Sequence, residues 1–128
     1  MIAYSKNRQG FTLLETVVII VVIGILVTAA LPKVISLRRE ALQAVSVSVI
    51  GSVNTGIAYY YILSEPNLYP DKLDQAGSGD SPGETPYFDV VIEYGIRDSR
   101  WSKTGDIFSY RAPNDTLYVY DPAAGIIK

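Results

Sequence analysis

The sequence contains no cysteine and no histidine, and only one methionine and one tryptophan in 128 residues. Without cysteine there can be no disulfide, no thiolate metal site and no lipoprotein anchor. Without histidine the commonest general base and the commonest zinc ligand are both missing, which argues against an enzyme and against a bound metal or cofactor. Residues 65–128 hold no cluster of Lys and Arg interleaved with aromatics, so nucleic acid has no electrostatic footprint as a partner.

What is present is unevenly distributed. Hydrophobic residues make up 48% of the chain against 19% charged, and the apolar share is concentrated before residue 64. The halves 1–64 and 65–128 carry net charges of +3 and −5. A chain of this length supports one small globular unit at most.

Residues 10–32 read GFTLLETVVIIVVIGILVTAALP. A helix over Phe11–Leu31 spans roughly 31 Å, the thickness of a bilayer's hydrocarbon core. Val and Ile dominate the run and in water would favour a strand. In lipid only a helix satisfies its backbone groups within one segment, so a transmembrane helix is expected. One ionisable side chain, Glu15, interrupts the run. A carboxylate costs about 2.5–3.5 kcal/mol near the centre of a span and less toward an end, so such a residue marks function unless the headgroups solvate it.

Beyond Pro32, apolar residues recur at Val34, Leu37, Ala41, Val45, Val49, Val53, Ile57, Tyr60 and Tyr61, in steps that mark one helical face. Lys33, Arg38, Arg39, Glu40, Gln43, Ser46 and Asn54 fall largely between them. Pro66 ends the pattern. A helix from Phe11 to about Ser64 is on the order of 80 Å long, more than a small domain can cover, so part of it is expected to project.

After the helix the pattern changes. Residues 74–86, DQAGSGDSPGETP, read as a surface loop. Residues 87–95, YFDVVIEYG, are rich in aromatic and β-branched types and read as a strand. Residues 106–112 and 116–121 flank Pro113, Asn114 and Asp115 as a β-hairpin with a three-residue connection. So small a sheet needs a surface to pack on, and the apolar stripe of residues 34–61 is the candidate. The expected fold class is α+β, a long amino-terminal helix with its second half laid against a small antiparallel sheet.

Several features have plain readings. The ten tyrosines suit half-buried sheets and helix faces. Asp71, Asp74, Asp80 and Glu84 match no calcium-loop spacing and read as a solvated acidic loop. Asn114 opens an Asn-Asp-Thr sequon that reads as a turn.

The amino terminus resembles the class III signal segment of the type IV filament family, the type IV pilins and the pseudopilins of type II secretion and competence systems. The resemblance rests on the short basic leader MIAYSKNRQG ending at Gly10, on FTLLE, and on Phe11, Glu15, Gly24 and Pro32 at the family's spacing. It implies that a prepilin peptidase cuts between Gly10 and Phe11 on the cytoplasmic side and N-methylates Phe11. It implies that Glu15 pairs with the amino terminus of a neighbouring subunit, and that Gly24 and Pro32 mark where the helix loosens in the filament.

The division that follows is a leader (1–10), a transmembrane assembly helix (11–31), its amphipathic continuation (32–64) and a small β-rich region (65–128). The implied partners are further copies of the chain, related minor subunits, the prepilin peptidase, the inner-membrane assembly platform and, before assembly, membrane lipid. The implied location is the inner membrane, single-pass with the leader in the cytoplasm, then a periplasmic or cell-surface filament. Many pilins close a carboxyl-terminal loop with a disulfide; this chain cannot, which suits pseudopilins or cysteine-free pilins. Two other readings compete: a secreted binding domain cut near Val27–Ala30 by signal peptidase, and an uncut single-pass membrane protein. The residue at which the mature chain begins separates the three.

Overall fold

The computed structural model describes residues 10–111 and 114–128. Most of the expected leader therefore lies outside the described residues, as do Ala112 and Pro113 of the expected hairpin connection. One helix, α1 (Leu13–Leu63), precedes four strands: β1 (Trp101–Thr104), β2 (Ile107–Tyr110), β3 (Thr116–Asp121) and β4 (Ile126–Ile127). The strands form one antiparallel sheet in the order β1-β2-β3-β4. This is the α+β class expected from the sequence.

α1 begins where Thr12 can cap it. The Thr12 hydroxyl accepts the Glu15 N–H at 3.2 Å, and the Thr12 carbonyl accepts the Thr16 N–H at 3.2 Å. The helix passes through Gly24 and Pro32 without interruption. Pro32 has no N–H to offer the Thr28 carbonyl. Two units are distinguished within the chain, one up to Arg38 and one from Arg39 to Lys128. In the first, every residue from Gly10 to Arg38 is exposed, and the helix holds an 18-residue window of mean hydropathy 2.7, long and apolar enough to cross a membrane.

The second unit is built on a face of α1 that differs in part from the expected stripe. Val49, Val53, Ile57 and Tyr61 lie on it, but Val45 and Tyr60 are exposed, and so are Val34 and Leu37. Ser46 and Asn54, read as lying between the apolar positions, belong to the packed face. The Ser46 hydroxyl shares a 3.0 Å hydrogen bond with the Tyr118 hydroxyl. Asn54 donates to the Ile127 carbonyl at 3.0 Å and accepts the Ile127 N–H at 2.9 Å, so its amide stands in for a neighbouring strand beside β4. Polar residues are at home there because the tyrosine hydroxyls and the strand edge need partners.

The sheet alternates as a half-buried sheet should. Trp101, Lys103, Phe108, Tyr110, Tyr118, Tyr120 and Ile127 point inward. With Ile50, Val53, Ile57, Leu73, Tyr87 and Phe88 they make the core. Edge-to-face and tilted pairs link Phe88 to Trp101 at 5.6 Å and to Phe108 at 4.4 Å between ring centres.

Residues 87–95 are not a strand. Tyr87 makes a single bridge with Ile96, and the chain between them turns through Ile92 N–H to Phe88 carbonyl (2.9 Å) and Gly95 N–H to Ile92 carbonyl (2.9 Å). Phe88 has φ 62° and Gly95 φ 60°, which no ladder tolerates. The apolar residues of this stretch serve packing against α1 instead. A Cβ on Gly56 would lie 2.2 Å from the Val91 carbonyl oxygen, so only glycine lets the turn sit that close.

The hairpin is real but tighter in its strands than expected. Tyr110 pairs with Thr116, leaving residues 111–115 as the connection rather than three residues. β1 and β4 were not anticipated: RWSKT carries too few β-formers and β4 is only two residues long.

The loop of residues 74–86 is pinned rather than freely solvated. Asp74, buried, forms an ion pair with the amine of Lys103, also buried. Lys103 donates as well to the Ala76 carbonyl at 2.9 Å, and the second Asp74 oxygen accepts the Phe88 N–H at 3.3 Å. Asp80 accepts the Gly77 N–H at 2.6 Å. Among the described residues no group of three or more acidic side chains converges on a metal-sized space.

Candidate assembly site

The amino-terminal site is built by the first turn of α1. Thr12 is its cap and Glu15 stands three residues later, the pattern of a capping box, in which a carboxylate or amide at the third helical position completes the capping of the first turn. That turn exposes four backbone N–H groups and a partial positive charge, so a carboxylate there is favoured by the helix itself. Apart from Thr12 and Thr16, the residues around Glu15 in sequence are apolar, and Leu13, Leu14, Val17, Val18 and Ile19 are all exposed.

Gly10, Phe11, Thr12 and Glu15 line one open hollow of about 450 Å³. The Phe11 side chain is 78% exposed, and no atom lies within 4 Å of where a Cβ on Gly10 would be. The bond between Gly10 and Phe11 therefore precedes the helix, with no packing against it among the described residues. Gly24 and Pro32 take no part in this hollow. They lie further along α1, where the Thr28 hydroxyl donates to the Gly24 carbonyl at 2.8 Å.

Thr12 was missed by the sequence reading. The signal is present, since TLLE before an apolar run is a capping box in its own right.

A cap at Thr12, a carboxylate in the first turn, an exposed apolar helix and a small sheet packed on its carboxyl-terminal half fit the α+β plan that the resemblance implies. The comparisons agree. Residues 5–31 match the family model described as a prokaryotic N-terminal methylation motif. The chain is also 38% identical over 67 residues to the type II secretion system core protein G of Aeromonas hydrophila, a match covering 52% of this chain and 46% of that relative. The matched stretch thus spans about half the length of the relative. No solved structure matches. Both likenesses are to the type IV pilin and pseudopilin kind of protein.

Proposed function

We propose that the chain is a structural subunit of a type IV pilus-like filament, and that the likeness to core protein G favours a secretion pseudopilin. A prepilin peptidase cuts between Gly10 and Phe11 and methylates the new amine. The subunit then waits in the inner membrane, single-pass, until the assembly platform adds it to a polymer with further copies and minor subunits. The observation that carries this reading is Glu15, a lone carboxylate in the first turn of an exposed apolar helix whose start lies within the stretch matching the N-terminal methylation motif.

The physics of the pairing is direct. An amine and a carboxylate held apart in hydrocarbon each cost several kcal/mol, and together they neutralise. Glu15 lies about 6 Å along the helix axis from Phe11, so a neighbour whose amine reaches it is displaced by that much plus side-chain reach. One contact sets a stagger. Gly24 lowers helix propensity and Pro32 leaves the Thr28 carbonyl without its N–H, so α1 loosens between them on packing; faster hydrogen exchange across residues 24–32 in filaments than in unassembled subunits checks this.

Capping offers the alternative role for Glu15, and one variant separates the two. A glutamine serves a capping box as well as a glutamate but carries no charge. Glu15→Gln and Glu15→Ala are expected to insert and to begin at Phe11 after cutting, while filament yield falls at least about tenfold, as loss of a 2–3 kcal/mol interaction implies. Normal filament yield from Glu15→Gln assigns the carboxylate to capping and refutes the pairing.

A further inference from the structure

Between Gly10 and Asp71 every basic residue falls in one short stretch of α1: Lys33, Arg38 and Arg39. All three are exposed, and so are the aliphatic residues among them, Val34, Ile35 and Leu37. Among the described residues the ion pairs are Arg100–Asp98 and Lys103–Asp74, and neither uses any of these cations. Glu40, also exposed, follows directly, so three cations and one carboxylate leave residues 33–40 with a net charge of +2.

The order of residues along the helix matches a passage out of hydrocarbon. The hydroxyls of Thr16, Thr28 and Ser36 donate to the carbonyls of Thr12, Gly24 and Lys33 at 3.4, 2.8 and 2.9 Å. From Thr16 to Leu37 the Lys33 amine is therefore the one polar side-chain group without a partner in the helix, and a lysine stem can carry its amine along the helix toward a polar layer. At the rise of an α-helix Lys33 lies roughly 27 Å beyond Glu15, close to the thickness of a hydrocarbon core. Arg38 and Arg39 lie roughly 8–9 Å further, within side-chain reach of the headgroups.

The angular spacing selects the partner. At about 100° per residue, Arg38 is turned about 140° from Lys33 and Arg39 about 100° further, which leaves about 120° back to Lys33. The cations ring the helix. A protein surface approaches from one side and meets two of them at most, whereas a headgroup layer surrounds a helix that passes through it. Guanidinium forks match phosphate oxygens, and the net positive charge favours lipids that are themselves anionic.

We propose that Lys33, Arg38 and Arg39 form a collar that binds the phosphate groups of anionic phospholipids around the subunit while it rests in the membrane. This rests on the filament reading and deepens it. With Lys33 held at one border of the hydrocarbon, Glu15 stands just inside the other, so the collar fixes the depth at which the pairing carboxylate is presented.

The test uses the full-length chain reconstituted in phosphatidylcholine vesicles, with spin-labelled phosphatidylglycerol or phosphatidylcholine as the probe of the lipid shell around the helix. A cation near an anionic surface is worth about fivefold in affinity, and only some shell positions adjoin one. The unaltered chain is therefore expected to prefer phosphatidylglycerol by about two- to fivefold. Lys33→Gln with Arg38→Gln and Arg39→Gln is expected to remove most of that preference, leaving what Lys6 and Arg8 contribute. Lys33→Arg with Arg38→Lys and Arg39→Lys should keep it, and high salt should weaken it.

Equal preference in the unaltered chain and the glutamine variant, or none in either, overturns the collar and leaves the filament reading standing. Cross-linked dimers of the unaltered chain that the glutamine variant fails to give, without lipid preference, assign the cations to a second copy and also overturn it. A chain that alkaline carbonate strips from the vesicles defeats the membrane step of the filament reading, and this proposal with it.

Discussion

Asp74 and Lys103 show how much one buried pair can hold. The amine of Lys103 reaches across from β1 to the loop of residues 74–86, bonding Asp74 and the Ala76 carbonyl, while Asp74 also receives the Phe88 N–H. Removing one partner leaves the other charge buried and unmatched, which costs about 3–5 kcal/mol. Asp74→Ala is therefore expected to lower the unfolding free energy of the Arg39–Lys128 unit, read by urea titration, by that amount, and pairing it with Lys103→Met should recover most of the loss. Equal stability of Asp74→Ala and the unaltered chain would show that the pair contributes nothing.

Tyr120 makes a second test at this scale. Its hydroxyl donates to the Pro70 carbonyl at 2.6 Å. Burial, then the carboxylates of Asp71 and Asp121, pushes it up from 10.0 to about 12. The fold thus favours the neutral phenol. Its contribution is complete below the unfolded value near pH 10 and is lost as pH rises through about 12. Unfolding free energy should fall by about 2–3 kcal/mol across that window. Tyr120→Phe should flatten the fall in part only, because burial and the nearby Asp74 raise Tyr87 as well. Urea titrations at either end of the window read both effects; an unchanged slope in Tyr120→Phe contradicts the assignment.

At the scale of the element, two of the three glycines of α1 have opposite roles. Gly51 faces open space, with no atom within 4 Å of a built Cβ, whereas Gly56 meets the Val91 carbonyl. Helix propensity alone predicts that Gly→Ala adds up to about 1 kcal/mol at each. Gly51→Ala should gain roughly that, while Gly56→Ala should lose stability because backbone, not a flexible side chain, must give way. Thermal melts of the two variants decide it, and a stabilised Gly56→Ala would show that the turn of residues 88–92 moves aside freely.

The same turn explains why residues 87–95 read as a strand. Their aromatic and β-branched content is a burial signal, and burial is shared by strands and by turns packed on a helix. What tells them apart here is the left-handed backbone at Phe88 and Gly95, which composition does not express. Ser46 and Asn54 were misplaced for a related reason. Periodicity weighs apolar residues, and these polar ones are inside because Tyr118 and Ile127 supply partners that only the fold brings near.

For the whole molecule, the separation of the chain into a unit up to Arg38 and a unit from Arg39 onward has a consequence for the assembly variants. Glu15→Gln changes the first unit only. The urea midpoint of the second should therefore match that of the unaltered chain, so that a loss of filaments reports on assembly and not on folding. A shifted midpoint would remove that inference.

The sequence by itself determined the helix, its apolar first half, the carboxylate at Glu15 and the α+β plan. These follow from local rules: apolar length, helical period, a proline after the last turn, and alternation in residues 107–110 and 116–121. The tertiary structure alone decided which side of α1 is covered, that Lys103 is inside, that residues 88–95 turn, and that β1 and β4 complete the sheet. Each of those depends on contacts between residues tens of positions apart, Ser46 with Tyr118, Asn54 with Ile127 and Asp74 with Lys103. Such contacts satisfy polar groups that a window along the chain sees as unpaired.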